Sequence, residues 1–370
     1  MQKYKFSIYC VQVYYFFYVF PFNFTPLRTI TLTHAHAYIY KKGIAHDTIK
    51  KEKQRYLLVF KRKLTTFILC ALAAVGARAQ YDVNFAHYFD MEPSFNAASV
   101  GKESKLNIVG AYAMNFVGFE NNPQTMYAAA DMPLYFLKSY HGVGLQLMND
   151  KIGLFTHQRL NLQYAYRFRL FGGRLAVGAQ LGMLSESLDG SKADLEEADD
   201  DAFSSSESNG SGFDIGGGLY YQHGPWYVGL SALHLNAPLI ELGETNELKI
   251  DPSYYFTGGY NIRLRSPFLT IKPSVFVRTD MVAYRVDLTG RLVYTHDKKM
   301  MYGGLSYSPD NSVTFLLGGS FHGAVIGYSY EYYTSAIKPG NGSHELFIGY
   351  QTDINLTKKG KNKHQSVRIL

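Results

Sequence analysis

The chain has 370 residues, two cysteines and a formal charge of +7, and the positive charge belongs to its front. Residues 1–79 carry 13 Lys and Arg against Asp47 and Glu52 alone, which leaves 24 basic and 28 acidic residues in 80–370, a net of −4. The remainder is therefore not a basic nucleic-acid-binding surface. With Cys10 and Cys70 both in the front segment, it also has to hold together without disulfides.

Residues 1–60 have no consistent design. Phe6 to Pro26 is uncharged and long enough to span a bilayer, yet it is crowded with aromatics and interrupted by Gln12 and Pro21. The segment reads as an upstream extension from a misplaced translation start, with a membrane anchor as the competing reading. His34 and His36 form an H-x-H pair with no acidic or cysteine partner nearby, so no metal site is expected there. Lys61-Arg62-Lys63, the apolar run from Leu64 to Val75 and the pattern Ala77-Arg78-Ala79 then compose a signal peptide over 61–79. Gln80 becomes the first exported residue.

After a segment over 80–105, expected in the periplasm, alternation dominates. Leu160, Leu162, Tyr164, Tyr166, Phe168 and Leu170 share one face, while Asn161, Gln163, Ala165, Arg167 and Arg169 share the other. The split recurs at Val282, Tyr284, Val286, Leu288, Leu292 and Tyr294 against Arg285, Asp287, Thr289 and Arg291. It returns at Ala324, Ile326, Tyr328, Tyr330 and Tyr332 against Gly327, Ser329 and Glu331. Strand side chains alternate between faces. Runs of eleven residues or more exceed the 5–6 usual in soluble strands and match the roughly 9–11 that a tilted strand needs to cross a bilayer.

Fourteen strands are predicted: 106–119, 125–135, 140–149, 156–170, 172–183, 212–222, 225–235, 252–263, 268–280, 282–296, 300–309, 312–321, 323–333 and 343–356. The fold class is an all-β, transmembrane antiparallel up-and-down barrel over 106–356, with a basic periplasmic tail at 357–370. An even strand count and alternation of short and long connections agree with this. A soluble β-sandwich with an adhesive role is the competing fold. Arg167, Arg285, Asp287 and Arg291 are candidate lumen-facing residues, forming either an interior ion-pair network or the lining of a water-filled conduit.

Several phrases resemble the PorP/SprF family of type IX secretion system outer-membrane proteins of Bacteroidetes. Phe85 and Tyr88, then Asn96, Ala98 and Gly101, are similar to that family's opening, with Ala97 where proline is usual. Asn149-Asp150-Lys151-Ile152-Gly153, Tyr164-Ala165-Tyr166, His234-Leu235-Asn236, Lys272-Pro273-Ser274 and Ser343-His344-Glu345 follow in order. The resemblance implies a non-enzymatic part in protein secretion and, in gliding species, in presenting adhesins. The implied partners are outer-membrane lipid and other secretion components, adhesins or cargo. A small-solute diffusion porin is the alternative function. No nucleic acid, small-molecule substrate or cofactor is expected.

Three motifs invite sharper readings. The stretch 186–207 carries nine acids against Lys192, but lacks the calcium-loop register, so a solvated acidic loop is expected. Asn149 to Gly153 reads as a turn, with Asn149 and Asp150 bonding local backbone and Gly153 at positive φ. Ser343-His344-Glu345 invites a hydrolase reading, but neighbouring strand residues point to opposite faces. No G-x-S-x-G elbow accompanies it, and no catalytic or metal-binding residue is assigned.

Overall fold

The computed structural model describes residues 4–6, 81–189, 207–243, 246–297, 299–335 and 340–354. The extension and signal peptide (apart from 4–6), most of the acidic loop and the basic tail lie outside the described residues.

Fourteen antiparallel strands close into a barrel. In chain order they are β1 (Lys105–Met114), β2 (Gln124–Phe136), β3 (Ser139–Ile152), β4 (Phe155–Leu170), β5 (Gly173–Asp189), β6 (Glu207–His223) and β7 (Trp226–Leu233). There follow β8 (Ser253–Tyr260), β9 (Leu269–Thr279), β10 (Tyr284–His296), β11 (Lys299–Ser308), β12 (Ser312–Phe321), β13 (Ala324–Tyr333) and β14 (Ser343–Asp353). Each strand pairs with its sequence neighbour, and β14 closes onto β1 with Phe347 opposite Ala111. Ile262–Arg263 continues the β8 side against β9 after a break at Asn261. Closure leaves no unpaired strand edge, the condition for putting backbone into hydrocarbon.

The expected faces hold. On β4, Leu162 is 63% exposed while its neighbour Asn161 is fully buried. On β10, Leu288 and Leu292 point outward and Asp287 and Thr289 inward. Outward residues meet acyl chains, and an exposed aromatic set, including Tyr140, Phe168, Phe268 and Phe321, gathers near the short-turn end, as at a membrane interface.

One end of the barrel carries tight turns: Leu137–Lys138, Phe171–Gly172, Gly224–Pro225 and His322–Gly323. The other carries the long connections 190–206, 234–252 and 334–342. Both termini of the barrel, at Lys105 and Asp353, lie at the short-turn end.

The strand limits move in places. β1 stops at Met114 instead of 119, because the chain turns through Phe116 and Asn121, both at positive φ. β5 and β6 run 17 residues each, so Glu186 belongs to a strand and not to the acidic loop. The 236–251 connection folds into a hairpin, Leu239–Leu242 with Asn246–Lys249, that lies against the upper part of β6 near Gly210. Tyr4–Phe6 adds to it in parallel, a strand that cleavage after Ala79 would remove.

Candidate functional site: the lumen plug

The segment expected as a periplasmic lead-in lies instead inside the barrel. Residues 81–104 thread its lumen with little regular structure beyond two short 3₁₀ turns, Glu92–Ser94 and Ala97–Ser99. Asp82 meets Arg159, His234 and Tyr255 in the long-loop half. Pro93 sits at mid-depth, where its carbonyl accepts from Gln146 and Gln163 at 2.6 and 2.8 Å. Gly101 reaches the short-turn end, donating its amide to Asp131 at 2.6 Å. From there Lys105 begins β1.

Three apolar clusters seat this plug. Tyr88, Phe89 and Phe95 pack with Leu233, Tyr255, Phe276, Val293, Tyr302 and Leu316. Phe85 and Met91 pack with Tyr127, Met148 and Phe347, and Ala98 packs with Ala176 and Tyr220. The wall makes room with glycines. A Cβ on Gly142 would stand 2.0 Å from the Val100 carbonyl oxygen, and one on Gly178 would stand 2.2 Å from the Ala98 nitrogen. The tight seating of 98–100 therefore depends on those two wall positions having no side chain.

Several of the plug's charged groups are paired with the wall, as buried charges require, while Asn84 Oδ1 and His87 Nε2 are buried without a hydrogen-bond partner. Arg159 donates to the Asp82 carboxylate at 2.8 Å and Tyr255 donates to it at 2.6 Å. His234 stands between two acids, its Nε2 3.1 Å from Asp82 and its Nδ1 2.9 Å from Asp214. Arg278 donates to the Asp82 backbone carbonyl at 3.1 Å. Burial alone would raise the Asp82 carboxyl, but His234 and Arg159 beside it carry it well below the usual range. Burial likewise opposes charge on His234, yet its two acidic partners lift it to about 9. Next along, Tyr81 donates to Glu186, which also holds His157.

The remaining anchors descend the lumen. The Ala86 and His87 amides donate to Glu345 at 2.7 and 3.1 Å, and His87 Nδ1 lies 2.7 Å from the same carboxylate. Tyr302 donates to Asp90 at 2.8 Å. Lys102 pairs with Glu92 at 2.5 Å inside the plug. Its charged form gains from the acid more than it loses by burial, so the ammonium is raised well above its ordinary value.

The sequence-picked residues fall mostly on this assembly. Phe85 and Tyr88 are plug anchors, with Tyr88 bonded to Ser274 at 2.7 Å. Asn96 caps the second 3₁₀ turn by accepting from the Ala98 amide at 2.9 Å and donates to the Leu219 carbonyl. Gly101 takes φ +61° beside the Met132 carbonyl. Of the lumen candidates, Arg167 donates to the carbonyls of Ala98, Val100 and Gly101. Arg285 pairs with Asp287 at 3.0 Å and Glu331 at 2.7 Å, and Arg291 lies over the Phe89 ring. Of these four candidates, Arg285 and Asp287 form ion pairs, while Arg167 and Arg291 hold the plug through backbone carbonyls and a ring face.

Two readings change in detail. Asn149 and Asp150 lie on β3, and only Gly153–Leu154 form the turn, with Gly153 at φ +60°. Asp150 faces inward and accepts from Thr125 at 2.6 Å, while Asn149 accepts from Gln158 at 3.1 Å. Asn236 bonds backbone of the neighbouring strand β6, accepting from the Ile215 amide and donating to the Phe213 carbonyl. In Ser343-His344-Glu345, Ser343 and Glu345 face inward while His344 bonds Tyr328 on the outer side. No three His, Cys, Asp or Glu side chains among the described residues gather as a metal site.

Asp82, His87, Asp131, Arg159 and Glu186 were not singled out from sequence. Arg159 carried a signal, since it extends the polar face of β4 by one step. Asp82 and His87 carried none, because their partners lie 77 and 258 residues away.

A closed barrel with an apolar exterior, aromatics near one rim and a filled polar interior defines an outer-membrane β-barrel protein. Residues 77–350 match the family model described as type IX secretion system membrane protein PorP/SprF, and the chain belongs to that family. No curated protein matches it. Among solved structures, the CymD monoaromatic hydrocarbon channel is 11% identical with a TM-score of 0.43, over 74% of this chain and 95% of its own. A FadL homologue of Pseudomonas aeruginosa is 9% identical (TM-score 0.39; 68% and 89% covered). The KdgM porin is 9% identical (TM-score 0.31; 67% and 99% covered).

Proposed function

We propose that this chain serves type IX secretion as a plugged, non-enzymatic barrel that docks other proteins: components of the secretion apparatus, or the cargo and adhesins it presents. The observation that carries the reading is the filled lumen. A barrel whose passage is occupied by its own chain, anchored from Asp82 to Gly101, acts through its mouths and rims. The diffusion-porin alternative needs an open path where the plug lies.

Charge supports a division between the two mouths. The short-turn rim, which faces the periplasm in barrels of this kind, carries Lys138, Arg169, Arg174, Arg263, Arg265 and Lys299. Arg169 stands directly opposite Arg174 in the β4–β5 register, a like-charge pair that is unfavourable unless an anion answers it. The sequence after the last strand holds five basic residues and no acid. Among the described residues, the long-loop side carries Glu120, Asp251 and Asp280. An acidic periplasmic partner fits the first rim.

Recognition of this kind involves no covalent step and no cofactor. Deleting the gene and measuring secreted type IX cargo and surface adhesins, with gliding where the species glides, tests the reading. Loss, restored by the wild-type gene, is expected. Unchanged secretion would contradict it.

A further inference from the structure

The short-turn mouth holds a row of cations that the plug does not use. Arg167 gives its guanidinium to the carbonyls of Ala98, Val100 and Gly101. Two residues further along β4, Arg169 stands opposite Arg174 of β5, which in turn stands opposite Gln222 of β6. Tyr140 of β3 faces Arg167, so the same register carried two residues on brings Lys138, in the β2–β3 turn, level with Arg169. Strand residues two apart share a face, and Arg167, Ala176 and Tyr220 all meet the plug. Arg169, Arg174 and Gln222 therefore line the lumen side of the wall beyond the plug, exposed, with exposed Lys138 beside them. The nearby acids are taken: Glu92 by Lys102, Glu103 by Lys105 and Asp131 by the Gly101 amide. The hairpin that bears the two arginines is fixed. Phe171 and Gly172 turn at φ +46° and +78°, and the Tyr221 hydroxyl is shared between the Leu170 and Phe171 carbonyls, each at 3.2 Å.

We infer that Lys138, Arg169 and Arg174 bind the carboxylates of an acidic peptide segment on a periplasmic partner. The inference rests on the docking reading and names the surface and the chemistry of that contact. Like charges directly opposed on a ladder repel, and an anion between them turns the repulsion into attraction. A lipid phosphate is on the other side of the wall, where Phe168 points. Neighbouring strands lie about 4.8 Å apart, so the three cations span roughly 10 Å. A single small anion bridges only adjacent members of such a row. Acidic side chains two or three residues apart on an extended peptide, at about 3.4 Å per residue, reach all three. Each arginine fork can take a carboxylate through two parallel hydrogen bonds, and Gln222 adds a neutral donor at the end of the row.

The protein, extracted from outer membranes into uncharged detergent, is titrated with a fluorescent synthetic peptide of alternating glutamate and serine, and binding is read by anisotropy. Arg169→Gln together with Arg174→Gln should weaken binding about tenfold, the loss of two exposed charge pairs. Lys151→Gln together with Lys249→Gln, at the long-loop end, changes the net charge equally and should weaken it less than about twofold, because salt screens distant charges. Without peptide, the arginine double variant should unfold at an unchanged or higher denaturant midpoint, since a repulsion is gone. A lower midpoint would make the pair structural and overturn the inference. Equal affinity of the two double variants would also overturn it, as would tighter binding of inorganic phosphate than of the peptide. In cells, lost peptide binding with undiminished secretion would leave the anion site standing and refute the docking reading instead.

Discussion

Substitution Asp82→Ala removes the acid on which the outer half of the plug converges. Asp82 and Arg159 are each about 95% buried, and His234 is completely so. Without the carboxylate, Arg159 keeps a buried positive charge and His234 keeps only Asp214, while the Tyr255 hydroxyl loses its acceptor at 2.6 Å. Breaking a buried ion pair from one side costs about 3–5 kcal/mol, which at 1.4 kcal/mol per decade shifts plug seating by roughly two to three and a half powers of ten. Hydrogen exchange of the amides in 81–104 reads this directly, since protection there reports the free energy of unseating. The Ala variant should exchange at least one hundredfold faster over 81–92, with barrel strands such as β12 unchanged. Asp82→Asn, which keeps an acceptor but not the charge, should fall between. Protection equal to wild type in the Ala variant would refute the idea that this cluster latches the plug.

Further outcomes follow from the same contacts. His234 is raised to about 9, so its contribution is full below its unfolded value near 6.5 and is lost as pH rises through 9. Asp82 is depressed, so its contribution is present above about 4 and lost as pH falls below that. Plug protection should therefore be greatest between roughly pH 4 and 6.5, and His234→Gln should remove the alkaline decline. Gly178→Leu, whose Cβ alone would meet the Ala98 nitrogen at 2.2 Å, should displace 96–101, seen as lost protection there with the barrel intact. Arg285→Met leaves Glu331 and Asp287 facing the lumen without their cation. It should lower barrel stability by about 3 kcal/mol in urea titration of the refolded protein in micelles. No change in the midpoint would count against an interior ion-pair network.

The barrel was largely legible because one physical rule, alternation between lipid and lumen, repeats in every strand. All fourteen expected strands occur in order, and Leu160–Tyr166 shows the predicted split residue by residue, which is lost at the strand's end, where Arg169, expected inward, is exposed. The limits were harder. The turn between β2 and β3 is Leu137–Lys138, both at positive φ, where glycine or asparagine would have marked it. The register of the strands, not local preference, imposes that conformation. Asp150 was misread because Asn-Asp before Gly-153-type turns usually bonds its own backbone, whereas here it lies one step inside the strand and serves Thr125. The plug was not legible at all. A segment with no period of 2 or 3.6, held by partners up to 259 residues away, leaves no local pattern, and its apolar residues Phe85, Tyr88, Phe89 and Phe95 read equally well as a lead-in.

The most direct test of a filled lumen is electrical. The refolded chain, cut at Gln80, should insert into a planar bilayer and pass no steady current, whereas the same chain with residues 81–101 deleted should open steady channels. A wild-type chain that conducts as steadily as the deletion would contradict the plugged barrel.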